Sequence, residues 1–409
     1  MRSRNLSRTI LAAVAALLLS VTACGDGPSG PTPDPLTITV AGVEDGGVYT
    51  SAVTIDITTT RGTFEARLDG QLFLDGQTVS EIGTHTLVVS ARDGVDTASV
   101  RIEFELVFEG NSLLIVRMFD LGDNDAGGGG DAILVTDSAE GGLQAHVLVD
   151  AGPAGTNGAD PGYVADRLQQ LGVGTLEAMI LTHAHTDHFD GMPAVLNALA
   201  VERFIYNGQQ RTYSGYNNVV SLAESRADTV IVPTDLLPVA LTGDSGSTIT
   251  VIPPLATYLS NSSADGSQLN EGSLGARLER GGFSVFFTGD GEVEANSRWR
   301  RDYAALSGGV DVLKVGHHAA NDAIFDAGTS GASTWLDHTD PSIALISANG
   351  TTHPRHNALT KIMGRSNTRT YCTHVHGDIE LRVDLEGASA VTVEKNAEMD
   401  CVAGSEASS

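Results

Sequence analysis

From Leu36 to Phe108 apolar and polar residues alternate. Val100, Ile102, Phe104 and Leu106 are interleaved with Arg101, Glu103 and Glu105, and Leu87, Val89 and Ala91 repeat the pattern upstream. Successive side chains of a strand point to opposite faces, so this period predicts strands with one buried and one wetted face. Turn signals at Asp45-Gly-Gly47, Asp69-Gly70, Asp75-Gly76 and Asp93-Gly94 separate the runs. Short strands with frequent turns predict a small all-β sandwich over 36–108. His85 is expected at a strand edge, without chemistry of its own.

Beyond Asn111 the period changes and strands alternate with helices. Leu113 to Phe119, Ala132 to Thr136 and His146 to Asp150 read as strands, and a helix is expected near Pro161 to Leu171. Helices near 194–200 and 217–227 are each followed by a strand. Later apolar runs, Phe283 to Phe287, Val310 to Val315 and Ile343 to Ile346, end on Thr288-Gly-Asp290, Gly316-His-His318 and Ser347-Ala-Asn-Gly350. Several strand ends therefore converge on one rim, the usual place for a site in a layered α/β domain.

The richest of these ends is Leu181-Thr-His-Ala-His-Thr-Asp-His-Phe-Asp-Gly191, directly after the apolar run Ala178 to Leu181. His183 and His185, two apart, can close on one ion while Asp187 and His188 turn toward a second. Imidazole and carboxylate donors together suit zinc, manganese or iron.

The N-terminus adds a location. Arg2, Arg4 and Arg8 precede an apolar stretch from Ile10 to Val21, too short to span a bilayer comfortably, which reads as an export signal over 1–23. Val21-Thr-Ala-Cys24 resembles the lipobox of bacterial lipoproteins, which implies lipidation at Cys24 and anchoring to a bacterial membrane or cell surface. Residues 24–35, rich in glycine and proline, form a tether. Cys372 and Cys401 remain as an even pair, and sequence leaves open whether they bond.

The chain has 24 Lys and Arg against 51 Asp and Glu, a net charge of −27. Loss of the three leader arginines would bring it to about −30, which repels polyanions at long range and argues against tight nucleic-acid binding. Leu68-Asp-Gly70 and Gly83-Thr-His-Thr-Leu-Val-Val-Ser-Ala-Arg-Asp93 resemble the Ig-like modules of bacterial surface proteins, so the expected contacts are a substrate, the membrane through the lipid alone, and a surface partner for this Ig-like module.

Taken in order, Phe119-Asp-Leu-Gly122 with Gly130-Asp-Ala-Ile-Leu-Val135, Val147-Leu-Val-Asp-Ala-Gly152, the histidine loop, Asn270-Glu-Gly-Ser273, Phe287-Thr-Gly-Asp290, Val312-Leu-Lys-Val-Gly-His-His318 and Thr352-His-Pro354 resemble the metallo-β-lactamase fold superfamily. The subset they match is typified by the extracellular hydrolase domain of the DNA-uptake competence protein ComEC. Asp123 to Gly129 stand as an insertion in the first motif. The resemblance implies an αββα sandwich over 111–402, following the all-β module. It also implies two divalent ions, zinc in preference to manganese, bridged by Asp290.

By the same resemblance His183 and His185 hold the first ion. Asp187, His188 and one of His317 and His318 hold the second, with His318 favoured and His317 facing substrate, although spacing alone does not separate them. Asp187 is also counted as catalytic, together with His353, a substrate contact or leaving-group acid. Asp150 stands behind the ligands and orients one, or caps its turn. His356 is expected to face solvent, and His374 and His376 to alternate in an exposed or edge strand beside Cys372. His146 and His338 carry no signal.

Two departures qualify this. No histidine occurs from Phe189 to Gly289, where β-lactamases and lactonases of this fold have a third one, so the first ion is a ligand short. Ala319-Ala320 replaces the common Gly-Ser. The implied activity is hydrolysis of a phosphodiester or nucleic acid by hydroxide held between two metals. Hydrolysis of a carboxylic ester, lactone or β-lactam is one alternative. A non-catalytic surface-binding lipoprotein with a structural metal site is the other.

Overall fold

The computed structural model describes residues 34–49, 53–79, 83–106, 113–122, 129–138, 144–154, 162–242, 246–264, 266–384, 387 and 389–405. The leader, Cys24, most of the tether and residues 123–128 of the insertion lie outside them.

The N-terminal unit is a small β-sandwich. Its five-stranded sheet runs in the order 47–49, 96–106, 83–93, 63–68, 71–73, and two short pairs, 38–41 with 56–59 and 53–54 with 78–79, complete it. The alternating positions behave as the pattern requires: Ile55, Ile57, Leu87, Val89, Phe104 and Leu106 form one core. His85 corrects the expectation of an edge. Its strand lies between two others, its ring is buried against Phe104, and Nδ1 sits 2.7 Å from Asp69 Oδ2. That carboxylate satisfies the imidazole and lets a polar ring occupy a core position.

The second unit stacks two mixed sheets between helices, an αββα sandwich. One sheet runs 175–176, 200–206, 178–181, 144–149, 133–138, 113–118, 379–383, 389–393, with 227–231 paired to 200–206. The other runs 237–240, 248–252, 275–280, 283–287, 312–314, 343–346, 369–372. The central strands 133–138, 178–181, 283–287 and 312–314 are buried on both faces, so their apolar runs are close to continuous. Ile133, Val135, Val147, Ile180, Val285, Phe287, Val312 and Leu345 meet in the layer between the sheets. The residues between them point outward. Leu134, Leu148, Met179 and Phe204 pack in the cluster that takes in the helices 163–170, 192–198 and 214–226, and Phe286 and Leu313 in the one under 293–302, 334–339 and 356–363.

Strands 283–287, 312–314, 343–346 and 369–372 are parallel, as are 144–149, 178–181 and 200–206. Their C-terminal ends carry the motif loops to one rim.

His374 and His376 are not in a strand. Strand 369–372 ends at Cys372 and a short helix, Thr373–His376, follows. The Thr373 hydroxyl bonds to Ala348, and His376 Nδ1 accepts from Cys372 N at 3.0 Å, so local side-chain bonds displace the ladder. His376 is buried, contrary to an exposed role, whereas His356 is exposed as expected. Cys372 and Cys401 form a disulfide with a Cα–Cα distance of 5.8 Å.

Candidate metal centre

Strand 178–181 delivers the histidine loop. His183 follows it in the loop, His185 is extended and caps the one-turn helix Thr186–Phe189, and that turn swings Asp187 and His188 inward. From the opposite sheet, strand 283–287 delivers Asp290 through Gly289. This glycine has φ +51°, and a Cβ there would lie 2.8 Å from the Thr182 side chain, so only glycine lets the two loops approach so closely. Strand 312–314 delivers His317 and His318. Together with Ala319 they take three successive left-handed conformations, φ 45°, 52° and 61°. Such backbone costs roughly 1–3 kcal/mol per residue and persists where its surroundings hold it. Here His318 Nδ1 is fixed on Ser347 O at 3.0 Å. Ala319, where the resemblance led one to expect glycine, stands at a position at which glycine would carry no such cost.

Two donor groups share Asp290. His188 Nε2 lies 3.2 Å and His318 Nε2 3.4 Å from Asp290 Oδ2, and the same nitrogens lie 3.9 and 3.5 Å from Asp187 Oδ2. All four residues are buried. Neither Nε2, nor Asp290 Oδ1, has a hydrogen-bond partner. Buried polar atoms left in this way are costly unless something else binds them. Metal–nitrogen and metal–oxygen bonds of about 2.0–2.2 Å place neighbouring donors of a tetrahedron roughly 3.3 Å apart, so the spacing fits a cation better than it fits hydrogen bonds. The second group is His183, His185 and Asp290, with His183 Nε2 2.9 Å from His185 Nδ1 and 3.9 Å from Asp290 Oδ2. The bridging role implied by the resemblance would have the two carboxylate oxygens divide between the groups. Instead Oδ2 faces the imidazoles of His183, His188 and His318, and Oδ1 turns toward Lys314 Nζ at 3.8 Å.

Behind the donors, Asp150 Oδ2 takes His188 Nδ1 at 2.7 Å and the Thr182 hydroxyl at 2.7 Å, and its other oxygen takes Thr182 N at 2.8 Å. It thus orients a ligand-type imidazole and leaves Nε2 aimed at the cluster. His317 does not join the His188 group. It is half-buried, with Nδ1 3.2 Å from both Glu292 Oε1 and Asp322 Oδ1. His353 is buried, its ring centroid 5.6 Å from that of His317 and 6.1 Å from that of His318.

Burial lowers the pKa of His183, and the neighbouring His188 adds to the effect. Burial would do the same to His188 and His318. The carboxylates of Asp290, Asp150 and Asp187 override it at His188, raising it well above the usual imidazole value, and those of Asp290 and Asp187 bring His318 to about 9. The imidazoles in turn hold Asp187 and Asp290 below the carboxylate range against the desolvation that would raise them. His317 reaches about 10 through Asp322 and Glu292. His353 falls to about 3 through burial and the adjacent His318 and His317.

Sequence reasoning missed the partners on the far side. Lys314 is fully buried within an apolar strand, ion-paired with Asp131 and donating to Gly289 O at 3.0 Å. Asp131 also accepts from the Ser347 hydroxyl. A lysine in a buried strand without a visible partner is itself a signal, since lysine is almost never buried alone. Ser273 Oγ accepts from Asp290 N at 3.3 Å and so holds the backbone of the shared carboxylate.

A β-lactamase superfamily domain matches residues 145–347. ComE operon protein 3 of Bacillus subtilis (strain 168) is 28% identical over 218 residues, 53% of this chain, and the match spans about a quarter (26%) of that protein's length. A solved diphosphatase from the PhnP family covers 63% of this chain and 86% of its own at 13% identity and a TM-score of 0.32, too distant a likeness to carry function. Strand ends that bring this histidine loop and Asp290 together, in a domain whose residues 145–347 match the β-lactamase superfamily model, give this domain the metallo-β-lactamase fold, with the candidate metal-binding groups of a hydrolase.

Proposed function

We propose that this domain is a two-metal phosphodiesterase, acting on a small-molecule or nucleic-acid phosphodiester, and that Cys24 anchors it to the membrane. The observation that carries the reading is the pair of donor groups meeting at Asp290, with buried ligand-type atoms that no protein group satisfies. Divalent ions bound there would supply Lewis acidity and lower the pKa of a water. The chain's own residues orient and select. Asp150 fixes the His188 ring, and His317, held as a cation by Asp322 and Glu292, presents positive charge to a phosphoryl oxygen. His353, kept neutral by its burial, serves as a hydrogen-bonding contact in preference to a proton donor. The ordered motifs of the competence-type subset support a phosphodiester over a carboxylic ester. The test is metal analysis of the purified chain, followed by turnover of bis(p-nitrophenyl) phosphate, single-stranded DNA, p-nitrophenyl acetate and a chromogenic β-lactam. Faster turnover of the ester or the β-lactam would replace the reading, and no turnover with any metal would end it.

Unequal donor sets imply unequal ions. His183, His185 and Asp290 make a smaller set than Asp187, His188, Asp290 and His318. Stepwise chelation is therefore expected to remove one ion first, with activity lost before the fold. His183→Ala should empty the weaker site and leave one ion per chain, whereas His318→Ala should weaken the stronger. Equal affinities in titration calorimetry would refute the asymmetry.

For the anchor, wild type is expected to fractionate with membranes and Cys24→Ser to be released or left unprocessed. Multiple acyl chains at about 0.8 kcal/mol per buried methylene hold far more firmly than one. Identical fractionation, with no lipid on the wild type by mass spectrometry, would remove this part of the proposal.

A further inference from the structure

The loop from Ala348 to Pro354 carries His353 to the edge of the metal centre, and a second segment lies across it. Gly404 N donates to Pro354 O at 3.0 Å and Ser405 N donates to Gly350 O at 3.1 Å, one bond on each side of His353. The segment is fastened at its other end by the Cys372–Cys401 disulfide, by His374 Nε2 on Val402 O at 3.0 Å and by His376 Nε2 on Met399 O at 2.9 Å. Within 399–405, Cys401 and Gly404 are the buried positions, at the two points of attachment. Gly404 fits because it has no side chain: a Cβ there would lie 2.7 Å from Thr351 O and 3.0 Å from His353 N.

We propose that residues 401–405 form a strap that positions the His353 loop, with Gly404 as its contact point and the disulfide as its fastening. Inside the loop the Asn349 carboxamide oxygen accepts from Thr351 N at 2.9 Å, Thr352 N at 3.1 Å and His353 N at 3.3 Å, so the loop has a shape of its own. The strap adds the outside constraint that fixes where that shape sits relative to His317 and His318. Its effect on catalysis rests on the hydrolase reading above, whereas its effect on loop order does not. Gly404 touches none of the metal-binding candidates, so it is a positioning residue acting through His353.

The test uses the full chain carrying Gly404→Ala and, separately, Cys372→Ser with Cys401→Ser. Hydrogen exchange of the Gly404 and Ser405 amides, which donate the strap's bonds, and of the loop amides of residues 350–353 and 355, whose carbonyl anchors are then released, is expected to quicken about tenfold or more in both variants at unchanged metal content. With bis(p-nitrophenyl) phosphate as probe, kcat should fall by about 10-fold to 100-fold, the usual effect of a small misplacement at a reacting centre. In a His353→Ala background, Gly404→Ala should cost nothing further. Unchanged exchange in the loop overturns the strap. An undiminished fall in kcat in the His353→Ala background overturns its action through His353. A wild type without turnover would refute the function and leave the exchange result to decide the strap.

Discussion

Asp290→Ala is expected to release bound metal and abolish hydrolysis together. Asp290 Oδ2 lies 3.9 Å from His183 Nε2, 3.2 Å from His188 Nε2 and 3.4 Å from His318 Nε2, so one oxygen belongs to both donor groups. Its loss reduces the His183 group to two imidazoles and the other to three donors. A fall in kcat/KM of about 10³-fold or more, the equivalent of about 4 kcal/mol, corresponds to loss of the electrostatic contribution such ions make. Circular dichroism should remain that of the folded chain, because Asp290 stands at a strand end outside the apolar layers. The measurement is metal content by mass spectrometry beside turnover on one preparation. Two ions per chain with ordinary turnover would show that Asp290 is not shared between metals.

Lys314→Met is expected to produce the largest loss of stability. The ammonium and the Asp131 carboxylate are both almost completely buried, and removing one partner leaves an uncompensated charge. Breaking a buried pair in this way costs about 3–5 kcal/mol. The two tryptophans, Trp299 and Trp335, both lie in the helix layer of the second sheet, so their fluorescence follows this domain in a denaturant titration. A second substitution, Asp131→Leu, should restore most of the loss, since replacing both members of such a pair by apolar groups is often close to neutral. A single variant as stable as the wild type would show that Lys314 is not needed as the counter-charge.

The parts of the centre legible in the sequence are those announced locally. The histidine loop, Asp290 and the His317-His318 pair each stand directly after an apolar strand, so type and position can be read from a few consecutive residues. The alternation of strands and helices is legible because buried strands and amphipathic helices have different periods, whereas the αββα order is implied only by the resemblance of the ordered motifs. Asp131 and Lys314 are 183 positions apart and meet only when the two sheets stack, so neither announces the other. The roles of His317 and His318 separate in the structure through what their Nδ1 atoms touch, carboxylates in one case and a backbone carbonyl in the other. His85 and His376 were misplaced because a single partner, Asp69 for one and the Cys372 amide for the other, makes a buried imidazole acceptable. Such partners leave no periodic trace.

The donors come from both layers of the sandwich. Asp150 and the histidine loop belong to one sheet, Asp290 and His318 to the other. The sheets could part without tearing their own ladders, since what joins them is the apolar layer together with the buried ion pairs Lys314–Asp131 and Arg280–Asp137. Cations seated at the rim would act as a clasp across that joint, so that parting the sheets means surrendering the ions as well. Their binding energy then enters the cooperativity of the whole domain and not the local order of a loop alone. Availability of metal in the surroundings becomes a determinant of how long the chain survives proteases, independently of any reaction it carries out.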